Sequence, residues 1–439
     1  MKKSPRARVI GGGLAGVEAA RLLAGRGISV DLFEMRPCVS TPAHQTGLLG
    51  ELVCSNSLKG TAPDTAHGLL KKELSRLGSL VLETAFEHRV PAGKALAVDR
   101  KAFAAALTGR IESEERIRVI REEVIDIDPE VPTIVASGPL TSEGLSARLA
   151  RLAGSDRLFF YDAISPIVDA QGIDFSRAFF GSRWEMDSTD YLNCPLDEDE
   201  YDCFVNELLK ADRVRAHAFE DARFFDACLP VEVIAGRGSE SLRFGPMRPV
   251  GMRDPRTGRR PYAVVQLRRE NLKGDAYNLV GFQTRLTYPE QKRVFSLIPA
   301  LKDAVFLRWG SIHRNTYLDS PRVLKGDLSM RGLPLTFLAG QITGVEGYLE
   351  SASTGIYAAL GLLARLRGKE LPLPPADTAL GALVQHVTGP CEGRFQPSNI
   401  NFGIMKAPED VPRKRRKEAR MERESVSFEK WIESLSGLK

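Results

Sequence analysis

A cysteine at position 54 and a glycine pattern ahead of it are the residues whose types and spacing point most directly to chemistry. Gly11, Gly13 and Gly16 have the spacing of a dinucleotide-binding turn, and the cysteine follows in Val53-Cys54-Ser55-Asn56. Cys54 has no CxxC partner, which disfavours disulfide exchange and favours a thiolate that acts as nucleophile or base. A lone cysteine is also often a small buried hydrophobic residue, and that alternative stays open.

The glycines lie in a segment with the pattern of a β-α-β unit. Residues 6–10 and 28–33 have the apolar runs of strands, and residues 14–24 between them have helical periodicity. In such a unit the first glycine permits a tight turn, the second lets the backbone approach a pyrophosphate, and the third allows close packing. Glu34 lies 23 residues after Gly11, where an acid binds ribose hydroxyls. The segment predicts a dinucleotide site with Gly11, Gly12, Gly13, Leu14, Ala15, Gly16 and Glu34.

A second glycine-rich segment lies more than three hundred residues after the first. A β-like run at 335–340 leads into Gly344-Val345-Glu346-Gly347-Tyr348 and a helix through 353–366. The N–H groups at the start of this helix would stabilise negative charge on a reduced flavin, and a nicotinamide enzyme with one Rossmann unit has no need of them. Gly138, at the end of a strand-like run at 132–138, either passes near the same cofactor or belongs to a plain turn.

The remaining pattern predicts how these segments are organised. A helix is expected over 68–80, another opening at 97–100, and a strand over 116–127. Between about 158 and 316 aromatic residues, short β-like runs and turn residues indicate a different unit. We therefore expect an α/β fold, a Rossmann-like FAD-binding domain of the glutathione-reductase type interrupted by an inserted α+β domain. The expected domains are 1–157, 158–316 for the inserted substrate domain, and 317–439.

Composition and charge limit the class of protein. The 439 residues, 43% hydrophobic and 27% charged, are typical of a globular protein. No secretory signal or long apolar run is visible, so we expect a cytoplasmic protein that does not span a membrane. The cysteines lie far apart and no HExxH or GxSxG pattern occurs, so neither a metal site nor a serine hydrolase is expected. Positive charge at 413–417 indicates either a solvated, frayed helix or a nucleic-acid contact.

Longer motifs add to the glycine pattern. They are Phe33-Glu34-Met35-Arg36-Pro37, Thr41-Pro42-Ala43-His44, Ala227-Cys228-Leu229-Pro230-Val231-Glu232, Phe244-Gly245-Pro246-Met247, Val280-Gly281-Phe282-Gln283-Thr284, His313-Arg314-Asn315-Thr316-Tyr317 and Gly344-Val345-Glu346-Gly347-Tyr348. In this order they resemble the folate- and FAD-dependent tRNA (uracil-5-)-methyltransferases, called TrmFO, from residue 8 to about residue 403. Gly12, where the family usually has alanine, and the stretch from Pro412 depart from the resemblance.

The resemblance implies methylation of uridine at C5. Uridine C5 is a poor nucleophile, so a thiolate adds to C6, a one-carbon unit from 5,10-methylenetetrahydrofolate joins C5, and a base removes the C5 proton. Reduced FAD, recharged by NAD(P)H, supplies the hydride that completes the methyl group. Cys228 looks like the nucleophile and Cys54 like the base, although the two roles are exchangeable. We interpret Cys38, Cys194, Cys203 and Cys391 as structural.

The resemblance also implies binding residues and partners. Arg36, Gly138, Gly340, Gly347 and Tyr348 join the FAD-binding set. His313, Arg314 and Asn315 are candidates for the folate site, with His313 stacked on the pterin or, alternatively, a structural histidine. The expected substrate is the T-loop uridine in the T-arm of tRNA, with no obligate protein partner. The same chemistry on ribosomal RNA, an NADH:flavin oxidoreductase and a non-enzymatic RNA-binding flavoprotein stay open as alternatives.

Overall fold

The structure is a computed structural model that describes residues 5–41, 43–154, 158–214, 229–407, 411–412 and 415–438. Its helices are α1 (Leu14–Gly25), α2 (Ala66–Leu77), α3 (Leu80–Glu87), α4 (Arg100–Glu112), α5 (Glu143–Ala153), α6 (Glu198–Lys210), α7 (Val231–Ala235), α8 (Ser241–Phe244), α9 (Tyr288–Phe295), α10 (Ser320–Val323), α11 (Tyr348–Leu366), α12 (Ala379–Thr388) and α13 (Arg416–Ser434). Its strands are β1 (Arg6–Ile10), β2 (Ser29–Phe33), β3 (Ser57–Gly60), β4 (Arg89–Val90), β5 (Ala95–Val98), β6 (Ile117–Ile120), β7 (Thr133–Val135), β8 (Leu158–Ile164), β9 (Ile167–Asp169), β10 (Phe179–Phe180), β11 (Tyr191–Leu196), β12 (Ala263–Arg269), β13 (Ala276–Leu279), β14 (Phe306–Arg308), β15 (Ser311–Tyr317), β16 (Ser329–Met330) and β17 (Leu333–Leu338). Within these residues, no helix has the length and apolar character needed to cross a bilayer.

A six-stranded sheet in the order β16-β17-β7-β1-β2-β6 forms the centre of the molecule's first unit. Its neighbouring strands are parallel except β16 with β17. The chain order reverses beside β1, and in parallel sheets ligands bind outside the carboxyl ends of the strands at such a point. That edge collects the turns after β1, β2, β7 and β17, which contain Gly11, Glu34, Gly138 and Gly340.

The helices α1 and α11 pack closely against each other. A β-carbon on Gly16 would collide with the carbonyl oxygen of Gly11, and one on Gly355 would collide with the carbonyl oxygen of Ala15. Gly16 therefore permits the close packing that the glycine spacing predicts. Gly355 permits the same approach from the second glycine-rich segment of the chain.

A second sheet, antiparallel, has the order β10-β11-β12-β13-β9-β14. Its hydrophobic core contains buried residues from Val168 to Ala304, among them Phe282 and Phe295, whose rings meet edge to face at 5.9 Å. The core around the first sheet contains buried residues between 7 and 149 and between 317 and 438. The chain thus leaves the first core, builds a second one and returns.

Two small sheets and a set of polar contacts lie where the two larger sheets approach each other. β8 pairs with β15, and β3, β5 and β4 form a three-stranded sheet. Asn56, just before β3, donates a hydrogen bond to the carbonyl oxygen of Arg269 at 2.9 Å. Arg100 pairs with Glu270 at 3.0 Å. These contacts hold the segment that contains Cys54 against the end of β12.

Three elements differ from the sequence-based expectation. Gly78 adopts a left-handed φ of 72° and ends α2, so the helix expected over 68–80 ends at Leu77 and a separate helix, α3, begins at Leu80. The helix expected to open at 97–100 begins only at Arg100, because residues 97–98 belong to β5 and the side chain of Asp99 caps α4 by accepting from the N–H of Ala102. The strand expected over 116–127 covers only Ile117–Ile120.

The basic segment near the carboxyl terminus leads into α13, which docks on the first core. Phe428 and Trp431 are buried, and the indole N–H of Trp431 donates to the carbonyl oxygen of Pro372 at 2.8 Å. Arg423 pairs with Asp377 at 3.4 Å. The helix is therefore packed along its last turns, whereas the expectation of a solvated, frayed helix concerned residues 413–417. Residues 413 and 414 lie outside the described residues.

Candidate active site

A cleft of about 950 Å³ opens at the carboxyl edge of the first sheet. Gly11, Gly13, Gly138 and Gly340 lie in its wall. A β-carbon on Gly13 would meet no protein atom within 4 Å, so this stretch of backbone faces open space. The φ angles of Gly11, Gly138 and Gly340 are 106°, 71° and 78°, which glycine adopts without strain. Leu14, Ala15, Glu34, Arg36 and Tyr348 also lie in this wall.

Two helices begin at the site without a side-chain cap. α1 begins after Gly13 and α11 after Gly347, and neither glycine offers a side chain to the first N–H groups. These N–H groups, together with the positive end of the helix dipole, favour an anionic group of a ligand. Gly13 lies in the first cleft and Gly347 in the wall of an adjoining one.

The carboxylate of Glu34 is tied to Arg36 and to the glycine turn. It accepts from Nε of Arg36 at 2.9 Å and from the N–H of Gly12 at 3.0 Å. Burial by itself would raise the pKa of Glu34, but the hydrogen bonds and charge of Arg36 outweigh burial and hold that pKa below its usual value. Gly12 packs against Leu49 and supports the turn through Glu34. It therefore shapes the cleft from behind, outside the wall itself.

The adjoining second cleft has a volume of about 1040 Å³. Cys54, His313 and Gln283 line it, together with residues of the second glycine-rich segment. The two clefts share the wall residues Val53, Pro139, Leu140, Gln341 and Tyr348. Ligands bound in the two clefts would therefore lie next to each other.

Cys54 lies on a segment held by three side chains from elsewhere in the chain. The N–H of Cys54 donates to the hydroxyl of Tyr348 at 2.9 Å. Arg308 donates to the carbonyl oxygen of Val53 at 3.0 Å, and Arg100 donates to that of Leu52. Burial raises the pKa of Tyr348, so its hydroxyl stays neutral. The thiol is partly exposed and faces the second cleft.

Arginines from three separate elements surround this segment. Arg100, Arg268 and Arg308 each interact electrostatically with Cys54. Arg268 also donates to the side-chain oxygen of Asn56 at 2.9 Å. Positive charge close to a thiol favours the thiolate. The sequence analysis missed all three arginines, because they come from α4, β12 and β14 and share no local motif.

His313 and Asn315 lie on the face of β15 that lines the second cleft. Burial, and then the charge of Arg308, lowers the pKa of His313 to about 4, so the imidazole is neutral near pH 7. Arg314 is exposed, and its guanidinium lies 4.5 Å from the ring centre of Phe159. Successive side chains of a strand point to opposite faces. Arg314 is therefore outside the wall of this cleft, and it lines a neighbouring hollow together with Pro139 and Leu140.

The wall of the second cleft also contains two acids, Asp162 and Glu346, which the sequence analysis did not single out. Asn315 donates to Asp162 at 2.6 Å, and Gln341 donates to Glu346 at 2.7 Å. Burial raises the pKa of Glu346 well above its usual value, and the charge of Asp162 adds to this effect. This shift favours the protonated form of Glu346.

Cys228 lies outside the described residues. The N–H of Val231, three residues later, donates to the carbonyl oxygen of Gln283 at 2.7 Å, and Gln283 lines the second cleft. The chain therefore passes this cleft shortly after Cys228. Among the cysteines interpreted as structural, Cys194 is fully buried, and burial raises the pKa of its thiol to about 12. Cys38, Cys203 and Cys391 are exposed.

The chain matches the family model "Glucose inhibited division protein A" over residues 6–370. Among solved structures it is similar to Aquifex aeolicus GidA in two crystal forms, with TM-scores of 0.70 and 0.69 and identities of 17% and 18%. The similarity covers 98% of this chain and 74% and 76% of those chains. It confirms the predicted α/β fold with a Rossmann-like core. Fold and site thus define a protein of the GidA class.

Several relatives are much more similar in sequence. The protein of Moorella thermoacetica is 53% identical, over 92% of each chain. Those of Anaeromyxobacter dehalogenans and Desulfotalea psychrophila are 54% and 50% identical, over 98% and 97% of this chain and 96% of each relative. All three are named "Methylenetetrahydrofolate--tRNA-(uracil-5-)-methyltransferase TrmFO". The chain belongs to the TrmFO family, as the sequence motifs predict.

Proposed function

We propose that this protein is a flavoenzyme that methylates C5 of the T-loop uridine in tRNA. The one-carbon donor is 5,10-methylenetetrahydrofolate and the reductant is FAD recharged by NAD(P)H. The observation that carries the proposal is the pair of adjoining clefts, with Cys54 beside their shared wall, in a chain of the TrmFO family. The protein acts in the cytoplasm, and residues 158–316 form its inserted substrate domain.

FAD fits the first cleft. The backbone of Gly13 faces open space, and α1 begins there with uncapped N–H groups that suit a pyrophosphate. Gly11, Gly138 and Gly340 bring further backbone to the cofactor, and Glu34 lies at the end of β2 where a ribose would lie. When bound, FAD supplies the hydride that turns the incoming carbon into a methyl group.

Thiols of this chain activate the uracil and complete the reaction. One thiolate adds to C6, which makes C5 nucleophilic toward the one-carbon unit. The second thiolate takes the proton from C5, and the bond between sulfur and C6 then breaks. Cys228 is the nucleophile and Cys54 the base in this proposal. If the two cysteines exchange these roles, the same bonds form and break. The arginines around Cys54 favour the charged form that either role needs.

The folate binds in the second cleft. The neutral ring of His313 offers a flat surface for a pterin, and Asn315 and Glu346 offer hydrogen bonds beside it. Because the second cleft shares Tyr348 with the first, the folate carbon lies near the cofactor that reduces it. Arg314 lies on the opposite face of β15, outside this cleft.

An omission assay tests the proposal. The purified protein with FAD is incubated with a tRNA transcript, methylenetetrahydrofolate and NADH or NADPH, and each component is left out in turn. We expect 5-methyluridine in the T loop only when all are present, and an isolated T-arm hairpin to serve as substrate. Faster methylation of a ribosomal RNA transcript would favour the ribosomal alternative. NADH oxidation without RNA methylation under complete conditions would favour a plain flavin oxidoreductase.

A further inference from the structure

Trp184 is the most exposed large hydrophobic side chain among the residues that the structure describes, with 78% of its surface in contact with solvent. The other two tryptophans are packed: Trp309 stacks on Phe306 at 4.4 Å, and Trp431 is buried. An isolated exposed apolar residue is common on proteins. Trp184 differs because its backbone conformation is unusual and its surroundings are positively charged.

The backbone of Trp184 is held in a conformation that bulky residues rarely adopt. Its φ is +70°, in the left-handed region, and such a conformation persists only where neighbouring contacts fix it. The N–H of Trp184 donates to the carbonyl oxygen of Gly251 at 3.0 Å, and Ser182 and Glu185 close a tight turn around it. A β-carbon on Gly251 would lie 2.7 Å from the indole. One side of the indole therefore rests on the backbone of Gly251, and the ring is presented to solvent.

Arginines lie next to this indole. Arg183 donates to the carbonyl oxygen of Arg248 at 3.0 Å, and burial, followed by the charge of Arg248, lowers the pKa of Arg183. The stretch 237–260 contains seven arginines and two acids. Both acids are already paired, Asp254 with Arg256 and Glu240 with Arg243. Residues 181–190 add three acids and one arginine, so the combined surface keeps a net positive charge.

Pairwise interactions link the turn that contains Trp184 to the segment that contains Cys54. Arg183 and Arg268 both interact electrostatically with Tyr191, and Arg268 interacts with Cys54. Tyr191 and Arg268 are direct partners in the ladder between β11 and β12. The hydroxyl of Tyr191 donates to the carbonyl oxygen of Ala92 at 2.9 Å, close to the small sheet that begins at β3. A chain of neighbouring side chains therefore connects the indole with the thiol.

We propose that Trp184 is a stacking platform for an unpaired nucleotide of the RNA substrate, and that Arg183 and Arg248 bind the phosphates beside it. A flat aromatic ring next to arginines suits a base and its phosphate, because every base has a stacking face. A protein partner would need a larger contiguous patch than one indole. The inference rests on the proposed function in that the substrate is RNA, and it adds a substrate-positioning site outside the two clefts.

Equilibrium binding of a labelled tRNA transcript to the FAD-loaded protein, at one fixed salt concentration, tests the proposal. We expect Trp184→Ala to raise the Kd about tenfold and Trp184→Phe, which keeps a stacking ring, to stay within about threefold of the wild type. Phe86→Ala, which removes an exposed aromatic ring on α3, serves as the control and should leave the Kd unchanged. Under methylation conditions Trp184→Ala should raise the KM for tRNA and leave kcat unchanged. Arg248→Gln should reduce the slope of log Kd against log salt by about one.

Three results would overturn the proposal. Equal Kd values for Trp184→Ala and the wild type would remove Trp184 from the RNA surface. Equal losses in Trp184→Ala and Trp184→Phe would show that the residue acts through the local backbone and not by stacking. Self-association of the wild type that is lost in Trp184→Ala, measured by sedimentation, would assign the indole to a protein interface. A wild type that neither binds nor methylates tRNA would instead contradict the proposed function itself. Flavin content and NADH oxidation are measured for every variant to show that it is folded.

Discussion

The setting of Cys54 comes from side chains that lie far apart in the sequence. Tyr348 accepts its N–H, Arg308 holds the carbonyl of Val53, and Arg268 adds positive charge. These contacts explain why a thiol in this position can work as a thiolate, since nearby positive charge favours the ionised form. The residue is recognisable from the sequence as a candidate, whereas its activation depends on tertiary contacts.

Removing the charge of Arg308 should make Cys54 less reactive. We expect Arg308→Gln to slow alkylation of Cys54 by iodoacetamide at pH 7 by up to about tenfold, because loss of a nearby positive charge disfavours the reactive thiolate. The rate is measured by mass spectrometry on the peptide that contains Cys54. Arg308→Lys keeps the charge and should stay within about threefold of the wild type. Identical rates for Arg308→Gln and the wild type would contradict this electrostatic explanation.

The neutral state of His313 has a consequence for pH dependence. Its pKa in the folded protein is about 4, below the usual value of 6.5, so the unfolded chain takes up this proton first as the pH falls. The wild type therefore loses stability between about pH 6.5 and about pH 4, and His313→Phe avoids this loss. We expect the melting temperature of His313→Phe, relative to that of the wild type, to rise as the pH falls from about 6.5 to about 4. A difference that is constant with pH would mean that His313 titrates normally.

The same variant tests whether residue 313 stacks on the folate, because a phenyl ring can stack but cannot take up a proton. We expect His313→Phe to keep folate affinity within a few-fold, because a phenyl ring also stacks, and His313→Ala to weaken it by about tenfold. The measurement is the KM for methylenetetrahydrofolate between about pH 6 and 8, where the neutral imidazole predicts a flat profile. Equal affinities for the Phe and Ala variants would remove His313 from the folate site.

The contact between α1 and α11 is the element on which the first cleft depends. Both helices begin at the site, and α11 passes α1 at Gly355. Any side chain at Gly355 would collide with the backbone at Ala15, which lies in the wall of the cleft. The position of α11 against α1 therefore determines where this part of the wall of the first cleft lies.

We expect Gly355→Ala to reduce FAD content of the purified protein strongly and to lower its melting temperature, because α11 must move away from α1. Gly109→Ala is the matched control. Gly109 lies on the exposed side of α4, where a β-carbon would meet nothing within 4 Å. Alanine there should be neutral or stabilise by up to about 1 kcal/mol. Full flavin occupancy in Gly355→Ala, measured by absorbance, would show that the helix contact is not critical.

Elements with strong local patterns were predictable and those set by single backbone positions were less so. The run of β1, α1 and β2 follows from apolar periodicity and three glycines, and the structure agrees within about one residue at each boundary. The break at Gly78 has a local signal, a glycine after Arg76 followed by the capping Ser79, which the expected range of 68–80 did not use. Arg314 follows His313 directly in the motif, but successive side chains of a strand point to opposite faces, so the two residues do not line the same cleft.

The whole molecule depends on contacts between the part of the chain before the second core and the part after it. Glu73 of α2 is completely buried and accepts the N–H groups of Ala379 and Leu380, at 2.6 and 2.7 Å, at the start of α12. Thr378 caps a different N–H of that helix, the one of Gly381. Burial raises the pKa of Glu73, and the neighbouring Glu424 of α13 adds to the shift. Three distant helices therefore meet at one carboxyl group.

We expect Glu73→Ala to lower the free energy of unfolding by about 2–4 kcal/mol, because it leaves two buried N–H groups without an acceptor. Urea unfolding followed by flavin release and by far-UV circular dichroism measures the loss. Glu429→Ala breaks the exposed pair between α13 and Arg76 of the same helix α2, and it should leave the midpoint unchanged. Similar midpoints for both variants would contradict the role assigned to Glu73.

The sequence shows a change of pattern between about 158 and 316, but it does not show how the two hydrophobic cores meet. Asn56 and Arg100 contact β12 and the residue after it, and this junction holds the Cys54 segment. No spacing rule in a single sequence connects residues separated by such distances along the chain. Trp184 shows the same limit, since its exposure and backbone conformation become evident only in the folded molecule.

Transfer of labelled carbon tests the central claim most directly. The FAD-loaded protein is given tRNA transcript, NADH and methylenetetrahydrofolate carrying carbon-14 in its methylene group, and the digested RNA is separated by nucleoside. The account predicts label in 5-methyluridine at the T loop, and its loss in both Cys54→Ala and Cys228→Ala while flavin content is kept and Cys203→Ser remains active. Label that enters the RNA without these thiols, or a methyl group that comes only from S-adenosylmethionine, would contradict it.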